Sequence, residues 1–241
     1  MSLRKKVLIL ILTLTLLLSK ETGMANYPAE EIQKVSASSY DDLLDFASKA
    51  KGIERQRLEE VMDNIASWES DYYNKENPIP NAKQVGGGPG RGAFQFEILT
   101  KDKQGKYGQP AAITAVNRLR NFYKNELGIP QPQWLQNLQI KYREPKNYKE
   151  ASQNFDPSSL TYEQQKMLFL GDVIMAGGGK SRPLEKINEM SLGDWWGKYH
   201  KTNATPEQIQ EFNNNVNKRY SIQRLNQQDI PIDLNTSNWI G

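Results

Sequence analysis

Apolar positions recur along most of this chain with the spacing of helix faces, and almost nowhere with the alternation of a half-buried strand. From Ser39 the pattern predicts a first helix, with Asp41 and Asp42 in its opening turn, Leu43, Leu44 and Phe46 on its apolar side, and Gly52 as its stop. A longer helix is expected over about Glu54 to Tyr72, where Leu58, Val61, Met62, Ile65 and Ala66 form one stripe. Glu69 follows Ile65 by four residues and Met62 by seven, so helical phase sets it on that stripe, away from Glu59, Glu60 and Asp63. Two readings of Glu69 follow from phase alone. Either it is a partly desolvated acid beside a cleft, or the helix ends there and it points into solvent.

The stretch from Asn74 to Pro89 is rich in Asn, Pro, Lys and Gly and reads as loop with room for a short hairpin. Gln109-Pro110 opens a further helix, with Ala112, Val116, Leu119 and Tyr123 in phase until Gly128 and Pro130. Residues 130–158 carry several prolines and no firm period, and read as irregular surface with short helical pieces. Thr161-Tyr162-Glu163-Gln164 has the form of a capping box ahead of Met167, Leu168, Leu170, Val173 and Ile174, with Gly177 as the expected stop. A short aromatic element is expected at Asp194-Trp195-Trp196-Gly197-Lys198-Tyr199-His200. Thr205-Pro206-Glu207-Gln208 then starts a last helix with the stripe Ile209, Phe212, Val216 and Tyr220. No internal repeat is visible. The expected fold class is mainly α, with at most a small β-hairpin.

The two ends differ from this body. Arg4-Lys5-Lys6 precedes an apolar run from Val7 to Leu18, too short for a comfortable membrane span and of the length of a signal-peptide core. Gly23-Met24-Ala25 supplies a small-x-small pattern for cleavage before Asn26. Residues 1–25 are thus a signal peptide or, with Met24 as the true start, a misassigned upstream extension. An uncleaved anchor is the third reading. Residues 26–225 form the expected domain and 226–241 a polar tail.

Composition narrows the chemistry. The 241 residues include no cysteine and a single histidine, which removes disulfides, thiol nucleophiles, Cys-based zinc sites and His-rich metal sites, so no metal or cofactor is expected. Carboxylates are left as the carriers of any catalysis. The formal charge is +3, with 31 basic against 28 acidic residues, too slight an excess to mark a nucleic-acid binder. The glycine run Gly86 to Gly92 is not a phosphate loop, because Ala93-Phe94 stands where Lys-Ser/Thr is required. Gly178-Gly179-Lys180-Ser181 comes nearer, but Ile174 occupies the position of the first required glycine and a helix precedes it, so it reads as a helix stop and loop. Phe94-Gln95-Phe96 reads either as core aromatics around an incidental amide or as a sugar-binding wall, and the Trp195 to His200 cluster divides the same way.

Taken together, Trp68-Glu69-Ser70 and Gly92-Ala93-Phe94-Gln95 resemble the Glu-Ser and Gly-Leu-Met-Gln pair of the lysozyme-like lytic transglycosylases. Gly87 through Glu97 is similar to the form seen in phage-encoded muralytic virion proteins of that superfamily, and Trp196 to Thr202 to the aromatic segment near their end. The resemblance implies a mainly α lysozyme-like fold with any hairpin near the active-site cleft. Glu69 would be its catalytic acid, and Ser70, Gly92, Phe94, Gln95, Phe96 and Glu97 would flank or line the cleft. Tyr199 is carried over for the tyrosine of the third family motif, although His200 follows it where the family has asparagine.

The implied activity is cleavage of the β-1,4 bond between N-acetylmuramic acid and N-acetylglucosamine by a lytic transglycosylase. A muramidase and a non-catalytic wall-binding or structural virion protein are the alternatives. A hydrolase with two carboxylates would draw its second acid from Glu97 or Asp71, neither singled out by pattern. The expected partners are peptidoglycan glycan strands, with other virion or secretion proteins possible, and no nucleic acid or stable membrane span. The expected location is extracytoplasmic if the signal is real and the phage virion otherwise.

Overall fold

The computed structural model describes residues 40–71, 74–101, 104–175, 183–201 and 203–228. The expectations for residues 1–25, Gly177, the Gly178 to Ser181 motif and the end of the tail lie outside those residues.

The predicted helices form where the apolar stripes required them. Helix α1 spans Tyr40–Lys51 and buries Tyr40, Leu43, Leu44 and Ala47, with Asp41 and Asp42 at the end that favours negative charge. Gly52 then reverses the chain with a positive φ of 62°. Helix α2 spans Arg55–Ser70, two residues short of the expected end, and buries Leu58, Val61, Met62, Ile65 and Ala66. It stops at Asp71 because that residue's carboxylate turns the chain, accepting from the backbone N–H of Asn74 and of Glu76 at 3.1 Å each. An Asp that caps the next turn competes with helix continuation.

The glycine-rich segment makes two minimal antiparallel pairs where the sequence allowed one hairpin. Strand β1 (Gly90–Arg91) pairs with β2 (Phe96–Glu97), and β3 (Thr100–Lys101) with β4 (Tyr107–Gly108). The registers are Gly90 opposite Glu97 and Thr100 opposite Gly108.

Helix α3 (Ala111–Asn121) buries Ala112, Ile113, Ala115, Val116 and Leu119 and runs on as a π turn over Phe122–Leu127 before Gly128 ends it. Short helices α4 (Gln133–Asn137) and α5 (Tyr148–Asn154) are the helical pieces of the irregular 130–158 region. Helix α6 (Tyr162–Met175) is the centre of the domain, packed on α3 and α1. Its capping box is reciprocal, Gln164 N–H donating to Thr161 Oγ1 at 3.2 Å and Thr161 N–H to Gln164 Oε1 at 3.0 Å. Gly171 lets α3 approach closely, since a Cβ there would lie 2.8 Å from Leu119 Cδ1.

Helix α7 (Leu192–Trp195) widens into a π turn over Trp196–His200. Helix α8 (Pro206–Gln228) opens with a second capping box between Thr205 and Gln208 and continues past the boundary drawn at residue 225. Among the described residues no helix is long and apolar enough to cross a membrane. The fold is mainly α, as the periodicity requires.

Candidate functional site

Glu69 sits at the last turn of α2, at the edge of the apolar stripe, with its side chain 12% exposed. Of the two readings left open by phase, the partly desolvated acid is the observed one. Trp196 Nε1–H donates to Glu69 Oε1 at 2.7 Å, and His200 Nε2 lies 3.7 Å from the same oxygen. Burial disfavours the charged form and raises the Glu69 carboxyl above its ordinary range, against the opposing pull of the Trp196 hydrogen bond and the nearby Lys201 and Lys75. A carboxyl that holds its proton more tightly than usual, at the end of a helix, is chemically suited to act as a general acid.

Long-range packing brings these three side chains together. In the π turn the Lys201 N–H reaches back to Trp196 C=O at 2.8 Å, and this widened turn aims both Trp196 and His200 at one oxygen. Helix α8 holds the turn in place. Phe212 stacks on Trp196 at 4.9 Å between centroids and meets Trp68 edge-on at 5.1 Å, so Trp68, Trp196 and Phe212 form one aromatic wedge behind the acid. Asn213 Oδ1 accepts from Gly193 N–H at 2.9 Å, and Arg219 Nη1 donates to Ser67 Oγ at 2.6 Å on α2. Lys75 Nζ lies 4.7 Å above the Trp68 ring and donates to Trp68 C=O at 3.3 Å. Burial lowers the Lys75 ammonium below its ordinary range, although the carboxylates of Glu211, Glu69 and Asp71 favour its charge.

Ser70, next along α2, is a structural tie. Its hydroxyl donates to Ala66 C=O at 2.6 Å and accepts from Ile79 N–H at 2.7 Å, pinning the loop to the helix end. Asp71 is equally committed. Burial works against its charge, but the backbone N–H groups of Asn74, Glu76 and Asn77 outweigh this and hold its carboxyl below the ordinary range.

The glycine loop is built around Gln165 of α6, fully buried. Its Oε1 accepts from Ala93 N–H at 2.7 Å, and its Nε2 donates to Pro80 C=O at 2.8 Å and Leu160 C=O at 3.0 Å. Gly92 has φ +76°, and a Cβ there would stand 2.4 Å from Gln165 Oε1, so only glycine fits. Gln95 has a left-handed φ of 48°, uncommon for a side-chain-bearing residue. Its Nε2 donates to Gly92 C=O at 2.8 Å, and its buried Oε1 has no protein donor. A strained backbone that presents a buried acceptor is the kind of feature that clusters at ligand sites.

Phe94 and Phe96 take the core role rather than the wall role. Phe94 is 1% exposed and stacks on Phe169 at 4.6 Å, with Phe96 packed behind it at 5.9 Å. Their rings are filled with protein contacts and offer no face to a sugar. Glu97 is exposed on β2. Tyr199 lies in the π turn but packs on Trp195 at 5.9 Å, under the ammonium of Lys198. The side chains of that segment in contact with Glu69 are Trp196 and His200. Phe169 joins the two halves of the region, since its ring meets His200 at 5.9 Å on one side and Phe94 on the other.

Sequence reasoning missed the roles of Trp196, His200, Gln165 and Phe169. The lone histidine four residues after Trp196 was a usable signal for the first two, as it gives both side chains one face of a helical turn. Gln165 had the weaker signal of a polar residue among the apolar positions of α6. Compared with protein-family models, with curated proteins and with solved structures, the chain matches none.

Proposed function

We propose that this protein is a peptidoglycan-cleaving enzyme of lysozyme-like fold, a lytic transglycosylase acting on the β-1,4 bond between N-acetylmuramic acid and N-acetylglucosamine, with Glu69 as its catalytic acid. The observation that carries the reading is the buried Glu69 carboxyl at the end of α2, raised by burial and fixed by the Trp196 N–H. The resemblance of Trp68-Glu69-Ser70 and Gly92-Ala93-Phe94-Gln95 to that family's paired motifs supplies the substrate.

Protonated Glu69 donates its proton to the glycosidic oxygen as the bond to the muramoyl C1 breaks. The carboxylate left behind then takes the proton of the attacking group. In a transglycosylase that group is the muramoyl C6 hydroxyl and the product is an anhydro end. The single-acid route is favoured because the neighbouring Asp71 carboxylate is occupied by backbone N–H groups and Glu97 lies exposed on the hairpin. The glycan strand places the protein's work outside the cytoplasm, as an exported enzyme or as part of a virion.

The test is release of soluble fragments from purified sacculi by wild type and by Glu69→Gln, followed by mass spectrometry of the products. Anhydro ends from wild type and none from the variant are expected. Reducing ends identify a muramidase instead, and wild-type binding to sacculi without any release identifies a wall-binding protein.

A further inference from the structure

A second charge feature, in a separate stretch of the chain from Glu69, is the segment from Lys141 to Lys149. Every residue of that segment is exposed except Pro145, which is buried and anchors its middle. It holds four cations, Lys141, Arg143, Lys146 and Lys149, against one carboxylate, Glu144. That local excess equals the formal charge of the whole chain, +3. It also carries two of the exposed large hydrophobic side chains, Tyr142 at 67% and Tyr148 at 38%.

Several of the cations elsewhere are paired with carboxylates. Lys51 pairs with Glu185, Arg55 with Asp41 and Asp45, Arg57 with Glu60, Arg118 with Asp172, Lys186 with Glu189 and Lys218 with Glu76. Among the described residues no carboxylate pairs with Lys141, Arg143, Lys146 or Lys149. Glu150, the residue after Lys149, bonds to the segment's backbone at the α5 cap, accepting from Lys146 N–H at 2.9 Å.

The segment is irregular yet firmly held. Lys141 N–H donates to Asn154 C=O at 3.0 Å, and Asn154 Nδ2 donates to Arg143 C=O at 2.6 Å. Tyr142 is tied through its hydroxyl to Asn117 of α3 at 3.3 Å, and the Tyr107 hydroxyl of β4 donates to Lys146 C=O at 3.3 Å. These bonds fix the backbone while the four charges face water. A fixed row of unpaired cations binds a polyanion with less ordering loss than a floppy tail would.

We infer that the Lys141 to Lys149 surface binds a phosphodiester-linked cell-wall glycopolymer, with Lys141, Arg143, Lys146 and Lys149 on its phosphates and Tyr142 against a sugar substituent. Nucleic acid fits less well. Strand-binding surfaces stack successive bases on several open rings, whereas here one ring, Tyr142, is widely open among four cations. A polyol phosphate backbone needs no such stacking. The inference rests on the peptidoglycan reading only for where the polymer is met, since it keeps the enzyme on the wall it cleaves.

The experiment measures fluorescence anisotropy of a labelled, purified glycerol-phosphate teichoic acid with the full chain. Four phosphate contacts at about 0.7 counterions each predict roughly 50-fold weaker binding at 200 mM than at 50 mM salt. The K141Q/R143Q/K146Q/K149Q variant, whose changes are all exposed, is expected to keep the wild-type Tm and lose this salt-dependent binding. Glu69→Gln is expected to bind the polymer as wild type does. Unchanged affinity and salt slope in the quadruple variant overturn the inference, and so does equal or tighter binding of single-stranded DNA of the same charge. Polymer binding by a wild-type protein that releases nothing from sacculi leaves the surface standing and removes only the proposed activity.

Discussion

Replacing Glu69 by Gln separates two properties of the same carboxyl, its chemistry and its strain. The amide keeps the shape and an Oε1 that can accept from Trp196 Nε1–H, so the 2.7 Å contact survives the change. What disappears is the ionisable group, 12% exposed and held above its ordinary range chiefly by burial. A carboxyl whose folded pKa is raised binds its proton more tightly in the folded state than in the unfolded one. Its contribution is therefore neutral below the unfolded value, near 4.5, and increasingly destabilising as pH rises from there toward the folded value.

The variant should match wild type in Tm at pH 4 and exceed it at pH 7. Relief of a strained functional group is commonly about 1–2 kcal/mol, which for a chain of this size is roughly 2–8 °C. Release of fragments from sacculi should meanwhile fall about 10²- to 10⁴-fold, the usual contribution of a general acid. Calorimetric melts of both proteins from pH 4 to pH 8, beside the release assay, check the pair of outcomes. A Tm difference that does not change with pH, or a variant less stable than wild type at pH 7, would refute the argument from burial whatever the activity does.

Trp196→Phe removes the donor that favours ionised Glu69, so the alkaline limb of the activity profile should move to higher pH; a profile fixed in position would deny the hydrogen bond its role. Asp71→Asn should show the opposite linkage. The lowered carboxyl contributes stability above its unfolded value that is lost as pH falls through its folded value, so the variant should be less stable than wild type at pH 7 and nearly equal at acid pH in the same melts. Gln165→Leu strands Ala93 N–H, Pro80 C=O and Leu160 C=O in a buried site and should lower stability by about 2–4 kcal/mol by denaturant titration. Gly92→Ala forces a Cβ onto Gln165 Oε1 at a positive φ, and should cost about 1–3 kcal/mol by the same titration.

Local chemistry was legible. The capping boxes at Thr161 and Thr205, the α2 stripe and the stop at Gly52 are decided within a few residues, and each formed as the spacing required. The end of α2 was missed by two residues because the apolar phase runs on past Ser70 while the Asp71 carboxylate takes over the following N–H groups. The four short strands were illegible for a different reason. A two-residue strand has no period to read, and these are set by side-chain and loop contacts such as Gln84 Oε1 on Gly90 N–H and Arg91 Nη1 on Gly88 C=O.

The site shows where such reading stops. Helical phase puts Glu69 on the buried edge of α2, but burial alone leaves a carboxyl without a defined orientation. That orientation comes from Trp196, 127 positions along the chain, and Trp196 is aimed by a π turn that nothing in Trp195-Trp196-Gly197 announces. The turn is held in turn by Phe212 and Asn213 of α8, which is itself fastened to α2 through Arg219. Glu69 thus depends on a closed circuit, from α2 through α7 to α8 and back, in which each contact is non-local. A change that loosens α8, such as Phe212→Ala, should therefore disturb the titration of Glu69 without touching it. The core loss alone is about 3–5 kcal/mol for a buried Phe. Phe212→Leu, which keeps most of the volume, is the milder probe. If the pH profile of Phe212→Leu matched that of wild type while its Tm fell, the wedge behind the acid would be packing and nothing more.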